Sequence, residues 1–288
     1  MKFQRVITGV IIFLVYAGVL TLSLVGLNFA FDIFTVALMV GAGFEMSKAI
    51  SNRYSKTYDQ LILFNILLGY LVFVLVTRFK NSGGITSYFG VLFLVVIACA
   101  IYTMFSKKKT ISNATGTILT LIYPISLFIY MLGINYFESP YRIAGLFFVF
   151  VIPCLTDTFA YMIGSLFKGP KLCPSVSPNK TISGAVGGLV GGLLGGAMLL
   201  LLATYGIFGL APIGGSTVTN VVHYLTIGFC GAFFVQVGDL LASYVKRNCG
   251  IKDFGKVLPG HGGFMDRVDG MVVFSVFLFI YLNVLSAL

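Results

Sequence analysis

The chain has 288 residues, 58% of them hydrophobic and only 10% charged, with 19 lysines and arginines against 9 aspartates and glutamates. A mean hydropathy of +1.00 excludes an ordinary soluble domain. The net charge of +10 would suit a nucleic-acid binder, but the basic residues are placed along the chain in a way that needs no nucleic acid.

A bilayer core takes about 20 apolar residues per helix, and windows of that length predict about nine spans, roughly 6–25, 28–49, 60–78, 85–105, 115–134, 143–164, 182–206, 221–245 and 269–287. The runs do not alternate apolar with polar, which excludes a transmembrane β-barrel. The fold class is therefore all-α, a polytopic helical membrane protein. The opening "MKFQRVITGVIIFLVYAGVL" has the basic start and apolar body of a signal peptide but no convincing small-residue cleavage pattern, and reads as a retained first helix. Glu45, in "GAGFEMSKAI", lies inside the second predicted span and is expected to snorkel beside Lys48. "SKKKT" at 106–110 reads as a flank that anchors topology. With the N-terminus inside, only Arg78, Lys80 and Arg142 of the basic residues fall outside, as the positive-inside rule requires. That sets the N-terminus in and the C-terminus out. Cys99, Cys154, Cys173, Cys230 and Cys249 show no metal-site spacing and read as small hydrophobes.

Polar residues concentrate after residue 156. Two long loops on the cytoplasmic side, about 165–181 and 246–268, are basic, whereas the outer loop at about 207–220 carries no charge. The working division is 1–140 as N-terminal helices forming a scaffold or dimer surface, and 141–288 as the catalytic region. In "SGAVGGLVGGLLGGAM" two glycine ladders run at four-residue spacing, Gly184, Gly188, Gly192, Gly196 and Gly187, Gly191, Gly195. They predict close helix packing rather than a phosphate-cradling loop.

Asp157 and Asp239 lie within or near the ends of apolar spans, where an ionised carboxylate costs several kcal/mol unless compensated. Asp266 and Asp269 stand three apart, on one face of the first turn of a helix that starts near 265. With "GHGG" before them and Arg267 between them they suggest a site for a divalent metal and phosphate, since carboxylate oxygens suit Mg²⁺ and phosphates complete its shell. Lys246, Arg247, Lys252 and Lys256 on one loop, with Lys168, Lys171 and Lys180 on the other, suit a polyanionic substrate. Pro170, Pro174 and Pro178 would stiffen the second loop, and Ser183 is expected to cap the seventh helix. His261 fits a general base, a phosphate donor or a loop-structuring residue equally, and His223 reads as interfacial. No Walker, Rossmann or His-based metal motif is present.

"SYVKRNCGIKDFGKVLPGHGGFMDRVD", 243–269, closely resembles the signature of the phosphatidate cytidylyltransferase (CDP-diacylglycerol synthase) family. Its places are filled by Ser243, Val245, Lys246, Arg247, Lys252, Asp253, Gly255, Pro259, His261, Gly262, Gly263, Phe264, Asp266, Arg267, Val268 and Asp269. "DTFAYMIGSLFKGPKL" and "SPNKT" look like the family too, so the resemblance covers about 150–288; residues 1–140 match only as hydrophobic helices. Ser183 and Ala242 stand where many bacterial members have Glu, so no role of those glutamates applies here.

The resemblance implies transfer of CMP from CTP to phosphatidate in the bilayer, giving CDP-diacylglycerol and pyrophosphate. It also implies Mg²⁺, with a second cation in some members, and a homodimer in a bacterial inner membrane with its active site on the cytoplasmic side. It points to Asp239, Asp266 and Asp269 as metal ligands, and to Lys246 and Arg267 beside them at the reacting phosphates. Lys171, Ser177, Lys180, Arg247, Lys252, His261 and Asp157 then bind substrate. The attacking phosphate is already an anion at pH 7, so His261 is expected to bind or organise rather than take a proton. Other readings are a secondary transporter, a scaffolding protein, or a CTP-dependent enzyme with another lipid acceptor, of the CDP-archaeol synthase or dolichol kinase kind. A transporter would show sequence symmetry, and 157–181 and 239–269 have no counterpart in the first half.

Overall fold

The computed structural model describes residues 2–80, 83–106, 110–260 and 262–287, without the side chains of 2–6 and 80. Among the described residues nine helical segments are long and apolar enough to cross a membrane, close to the predicted windows. The helices are α1 (Lys2–Leu24), α2 (Phe29–Arg53), α3 (Asp59–Lys80), α4 (Gly84–Phe105), α5 (Ile111–Ile122), α6 (Phe128–Ile134), α7 (Tyr141–Phe167), α8 (Ile182–Thr204), α9 (Thr217–Asn248) and α10 (Met265–Ser286). The fifth span is α5 and α6 joined through a 3₁₀ turn at Ile125–Leu127. The break falls at Pro124, which has no N–H to continue the helical ladder. Two differences from the sequence reading concern the loops. Lys246 and Arg247 belong to the last turn of α9 rather than to a loop. The 165–181 loop folds into a hairpin of β1 (Lys171–Cys173) and β2 (Ser177–Thr181), paired antiparallel with Lys171 opposite Thr181.

The chain forms two compact units, Met1–Gly133 with Lys246–Val268, and Ile134–Val245 with Asp269–Leu288. The functional division expected at 140/141 follows a different line from these packing units.

In the first unit, Phe31, Met39 and Met46 of α2, Ile62 and Ile66 of α3, Tyr88 of α4 and Leu121 of α5 are fully buried. Gly69 admits the Tyr88 ring, because a Cβ there would meet Tyr88 Cε2 at 2.7 Å. The connection from α2 to α3 is closed by hydroxyls. The Ser47 and Thr57 hydroxyls lie 2.6 Å apart, and each is within hydrogen-bond reach of the Asp59 carboxylate, which accepts from them. Asn113 Nδ2 donates to the Lys56 carbonyl at 2.7 Å, and the Tyr58 N–H donates to Thr117 at 2.9 Å. Such polar groups need internal partners where lipid cannot supply them. Asp32, in the first turn of α2, is 2% exposed and faces the Tyr70 hydroxyl. A carboxylate at a helix N-terminus also meets the favourable end of the macrodipole.

In the second unit the glycine ladders do what their spacing predicts, on two faces. A Cβ at Gly187 would meet Ile163 Cβ at 2.6 Å, and one at Gly191 the Leu155 carbonyl at 2.5 Å, both on α7. A Cβ at Gly192 would overlap Gly228 and Ala232, and one at Gly196 the Tyr224 carbonyl, all on α9. The backbone of α8 therefore lies directly against both neighbours, a packing that only glycine permits.

Candidate functional site

The second unit holds a cavity of about 480 Å³ lined by Asp157, Tyr161, Asn179, Lys180, Gln236 and Asp239 among others. The β-hairpin and the start of α8 build one wall. The Ile182 N–H donates to the Pro170 carbonyl at 3.0 Å, which closes the hairpin onto the helix. The residue that caps α8 is Thr181, whose Oγ1 accepts from the Gly184 N–H at 3.1 Å. This corrects the expectation for Ser183, which sits inside the first turn and donates instead to the Lys168 carbonyl at 2.5 Å. The reason is local. Thr181 has the extended backbone that an N-cap needs, and Lys168, at φ 51, turns its carbonyl toward Ser183. Gly164 and Gly184 keep the floor low, since a Cβ at Gly164 would meet Gly184 Cα at 3.2 Å.

Into this cavity β2 delivers Lys180 and α9 delivers Asp239. They form an ion pair of 2.5 Å with side chains 26% and 34% exposed, and Ser243 Oγ lies 3.4 Å from the other Asp239 oxygen. Asp157 is exposed on α7 and lines the same cavity. Asp269 belongs to this unit as well. A Cβ at Gly238 would meet the Asp269 carbonyl at 2.5 Å, so α9 and α10 touch backbone to backbone at the residues next to Asp239. Of the predicted binders here, Lys171 is exposed and Ser177 half-buried on the hairpin. Ala242 is fully buried.

In the first unit the signature segment is a built loop. α9 ends in a Schellman motif, with the Ile251 N–H on the Lys246 carbonyl at 2.9 Å, the Gly250 N–H on Arg247 at 3.1 Å, and Gly250 at φ 70. Lys246 and Asp266 are each 9% exposed and pair at 2.8 Å. The other Asp266 oxygen accepts the N–H of Phe254 at 2.8 Å and of Gly263 at 3.0 Å. The Lys246 ammonium also lies 5.5 Å from the centroid of the Phe254 ring. Gly262, at φ 84, has no room for a side chain, as a Cβ would meet Asp266 Oδ2 at 2.9 Å. Gly262 and Gly263 thus make way for the carboxylates of Asp266 and Glu45. Arg247, Lys252 and Arg267 are exposed, and Arg247 donates to the Ile251 carbonyl at 3.3 Å. His261 lies outside the described residues, as do Lys107, Lys108 and Lys109.

Glu45 differs from its sequence reading. It is 8% exposed rather than snorkelling, and its Oε2 accepts the Met265 N–H at 2.9 Å. No short motif marks it, because the groups it serves lie 220 residues away.

Mg²⁺ takes one or two carboxylates and completes its shell with phosphates and water. Asp239, partly exposed in the cavity, fits that donor chemistry, as does the half-buried Asp269, one of whose oxygens accepts the Gly270 N–H at 2.8 Å. Asp266 fits it less well, since three of its roughly four acceptor positions are already used. Among the described residues no group of three or more His, Cys, Asp or Glu is gathered as a metal cage.

A model of the cytidylyltransferase family matches residues 3–285. The chain is similar to the phosphatidate cytidylyltransferase of Bacillus subtilis (strain 168), 31% identical over 287 residues and 98% of each chain. It is also similar to that of Brucella abortus biovar 1 (strain 9-941), 35% identical over 144 residues, 50% of this chain and 48% of the relative. The enzyme of that name from Staphylococcus haemolyticus (strain JCSC1435) is 31% identical over 175 residues, 59% of this chain and 60% of the relative. The likeness therefore extends through the first 140 residues, beyond the part the signature covers. The nine apolar helices among the described residues and these matches define a membrane-embedded nucleotidyltransferase. The chain belongs to the cytidylyltransferase family.

Proposed function

We propose that the chain transfers CMP from CTP to phosphatidate at the cytoplasmic face of a bacterial inner membrane. A lipid phosphate oxygen attacks the α-phosphorus of CTP and forms the new P–O bond. The bond from that phosphorus to the bridging oxygen breaks, and pyrophosphate leaves with the electron pair. Family membership and the names of the relatives support the substrates. The structural observation that carries the reading is the Lys180–Asp239 pair in a cavity shared with Asp157.

In phosphoryl-type transfer, positioning and neutralisation of charge supply most of the catalysis. An incoming phosphate competes with Asp239 for the Lys180 ammonium, with Lys171 close by on the same hairpin. The exposed Arg247, Lys252 and Arg267 offer further cations for phosphate. Lys246 is committed to Asp266, so the pair holds the shape of the loop rather than reaching for substrate. Asp239 and Asp269 would hold Mg²⁺, whose chemistry is to neutralise phosphate charge. No base is required, because the nucleophile is already ionised.

The test is product formation from labelled CTP with purified protein in detergent. CDP-diacylglycerol is expected from phosphatidate with Mg²⁺, and none after chelation until Mg²⁺ is restored. A folded protein that uses CTP only with a different lipid acceptor, or that turns over equally without divalent cation, would overturn the corresponding part of the proposal.

A further inference from the structure

α10 begins without a local cap. The residue before Met265 is Phe264, whose side chain has no acceptor, and Gly262 and Gly263 precede it. The acceptor comes instead from α2, where Glu45 Oε2 takes the Met265 N–H at 2.9 Å. Its Oε1 is buried with no hydrogen-bond partner. The surroundings are nonetheless shaped to admit it, since a Cβ at Gly255 or Gly263 would overlap the Glu45 carboxylate. One turn earlier on the same face of α2, Gly41 receives the Phe264 ring, and a Cβ there would meet Phe264 Cδ2 at 2.7 Å. One further tie reaches the same segment, from Thr8 Oγ1 to the Pro259 carbonyl at 2.9 Å, and the Tyr54 hydroxyl donates to the Asn248 carbonyl at the end of α9 at 3.1 Å.

We propose that Glu45 is a positioning residue for the transfer reaction, anchoring Gly263, Phe264 and the first turn of α10 through its hydrogen bond to Met265. The segment so held carries Asp266 and Arg267, which fixes a role for the N-terminal helices beyond spanning the membrane. The inference rests on the proposed cytidylyl transfer for its effect on rate, but not for the anchoring itself.

Hydrogen–deuterium exchange tests the anchor without turnover. Glu45→Ala is expected to raise exchange in peptides covering 262–268 at least tenfold, with exchange over 177–190 unchanged. Kinetics test its consequence. Glu45→Ala should lower kcat about 10²-fold, the scale of an ångström of misplacement, with KM for CTP within threefold. Glu45→Gln keeps an oxygen acceptor at the same reach and should stay within threefold of wild type in both. Should Glu45→Ala not fold, Gly41→Ala, which displaces Phe264, is expected to give the same exchange signature. Unchanged exchange at 262–268 overturns the proposal, and so does a Gln variant as impaired as Ala. A wild-type chain that makes no CDP-diacylglycerol counts against the proposed reaction, while the exchange result still decides the anchor.

Discussion

Replacing Asp266 with Asn removes one charge and one acceptor oxygen from a carboxylate that is 9% exposed and bonded three ways. The remaining carbonyl oxygen can serve either Lys246 or the two N–H groups of Phe254 and Gly263, and the new NH₂ then points at donors on the other side. Lys246, itself 9% exposed, is left without its counter-charge. Removing one partner of a buried ion pair costs about 3–5 kcal/mol, equivalent to about 10²–10⁴ in the local opening equilibrium at 1.4 kcal/mol per decade. The loss should be local, because Gly262, Gly263 and Phe254 are loop residues, and the helices are held by separate packing. Asp266→Asn is therefore expected to retain its helical circular dichroism in detergent, to exchange amides at 254–268 faster by at least two decades, and to lose turnover. Lys246→Met alone should open the same loop less, because Asp266 keeps its two backbone donors. Combining Lys246→Met with Asp266→Asn should recover part of the stability, since no unpaired ammonium remains, without recovering activity. Wild-type exchange at 254–268 in Asp266→Asn would refute the role given to the pair.

Gly192→Leu should reduce the yield of folded protein and its unfolding temperature, because its side chain must enter the space of Gly228 and Ala232 and overpacking costs about 1–3 kcal/mol or more. Gly18→Ala, with nothing within 4 Å of the added methyl, should not lower the unfolding temperature and should raise it slightly, since Ala favours a helix interior over Gly by about 1 kcal/mol. Lys180→Met should raise KM for CTP or phosphatidate at least tenfold while barely moving thermal stability, since a pair this exposed contributes about 0–1 kcal/mol. Equal losses of stability and activity in that variant would show the pair to be structural. Cys249 is 7% exposed, and burial pushes its thiol up, against a smaller opposing effect of Arg53. A raised thiol holds less thiolate at any pH below it, so alkylation of Cys249, read by peptide mass spectrometry, should be slow at pH 7 and quicken as pH rises. Asp266→Asn should accelerate it.

The spans, the glycine ladders and the 243–269 signature were legible in the sequence, for one physical reason. Each is a local pattern whose period or composition is dictated by lipid, helix geometry or backbone freedom. Asp239 and Lys180 could be named as candidate site residues from their types and surroundings, but their pairing joins a strand to a helix and follows only from the fold. The cap of α8 moved from Ser183 to Thr181 because the hairpin, invisible to apolar windows, set the backbone there. Glu45 illustrates the limit most clearly. By sequence it is an acid near a lysine at a helix end, free to reach water. By tertiary structure it is the missing cap of a helix 220 residues away. The sequence by itself marked which segments are long and apolar enough to cross a membrane and which residue types its chemistry can use. Only the tertiary structure decided which carboxylate faces a cavity and which is spent on holding a loop, because that depends on which donors three-dimensional packing brings within reach.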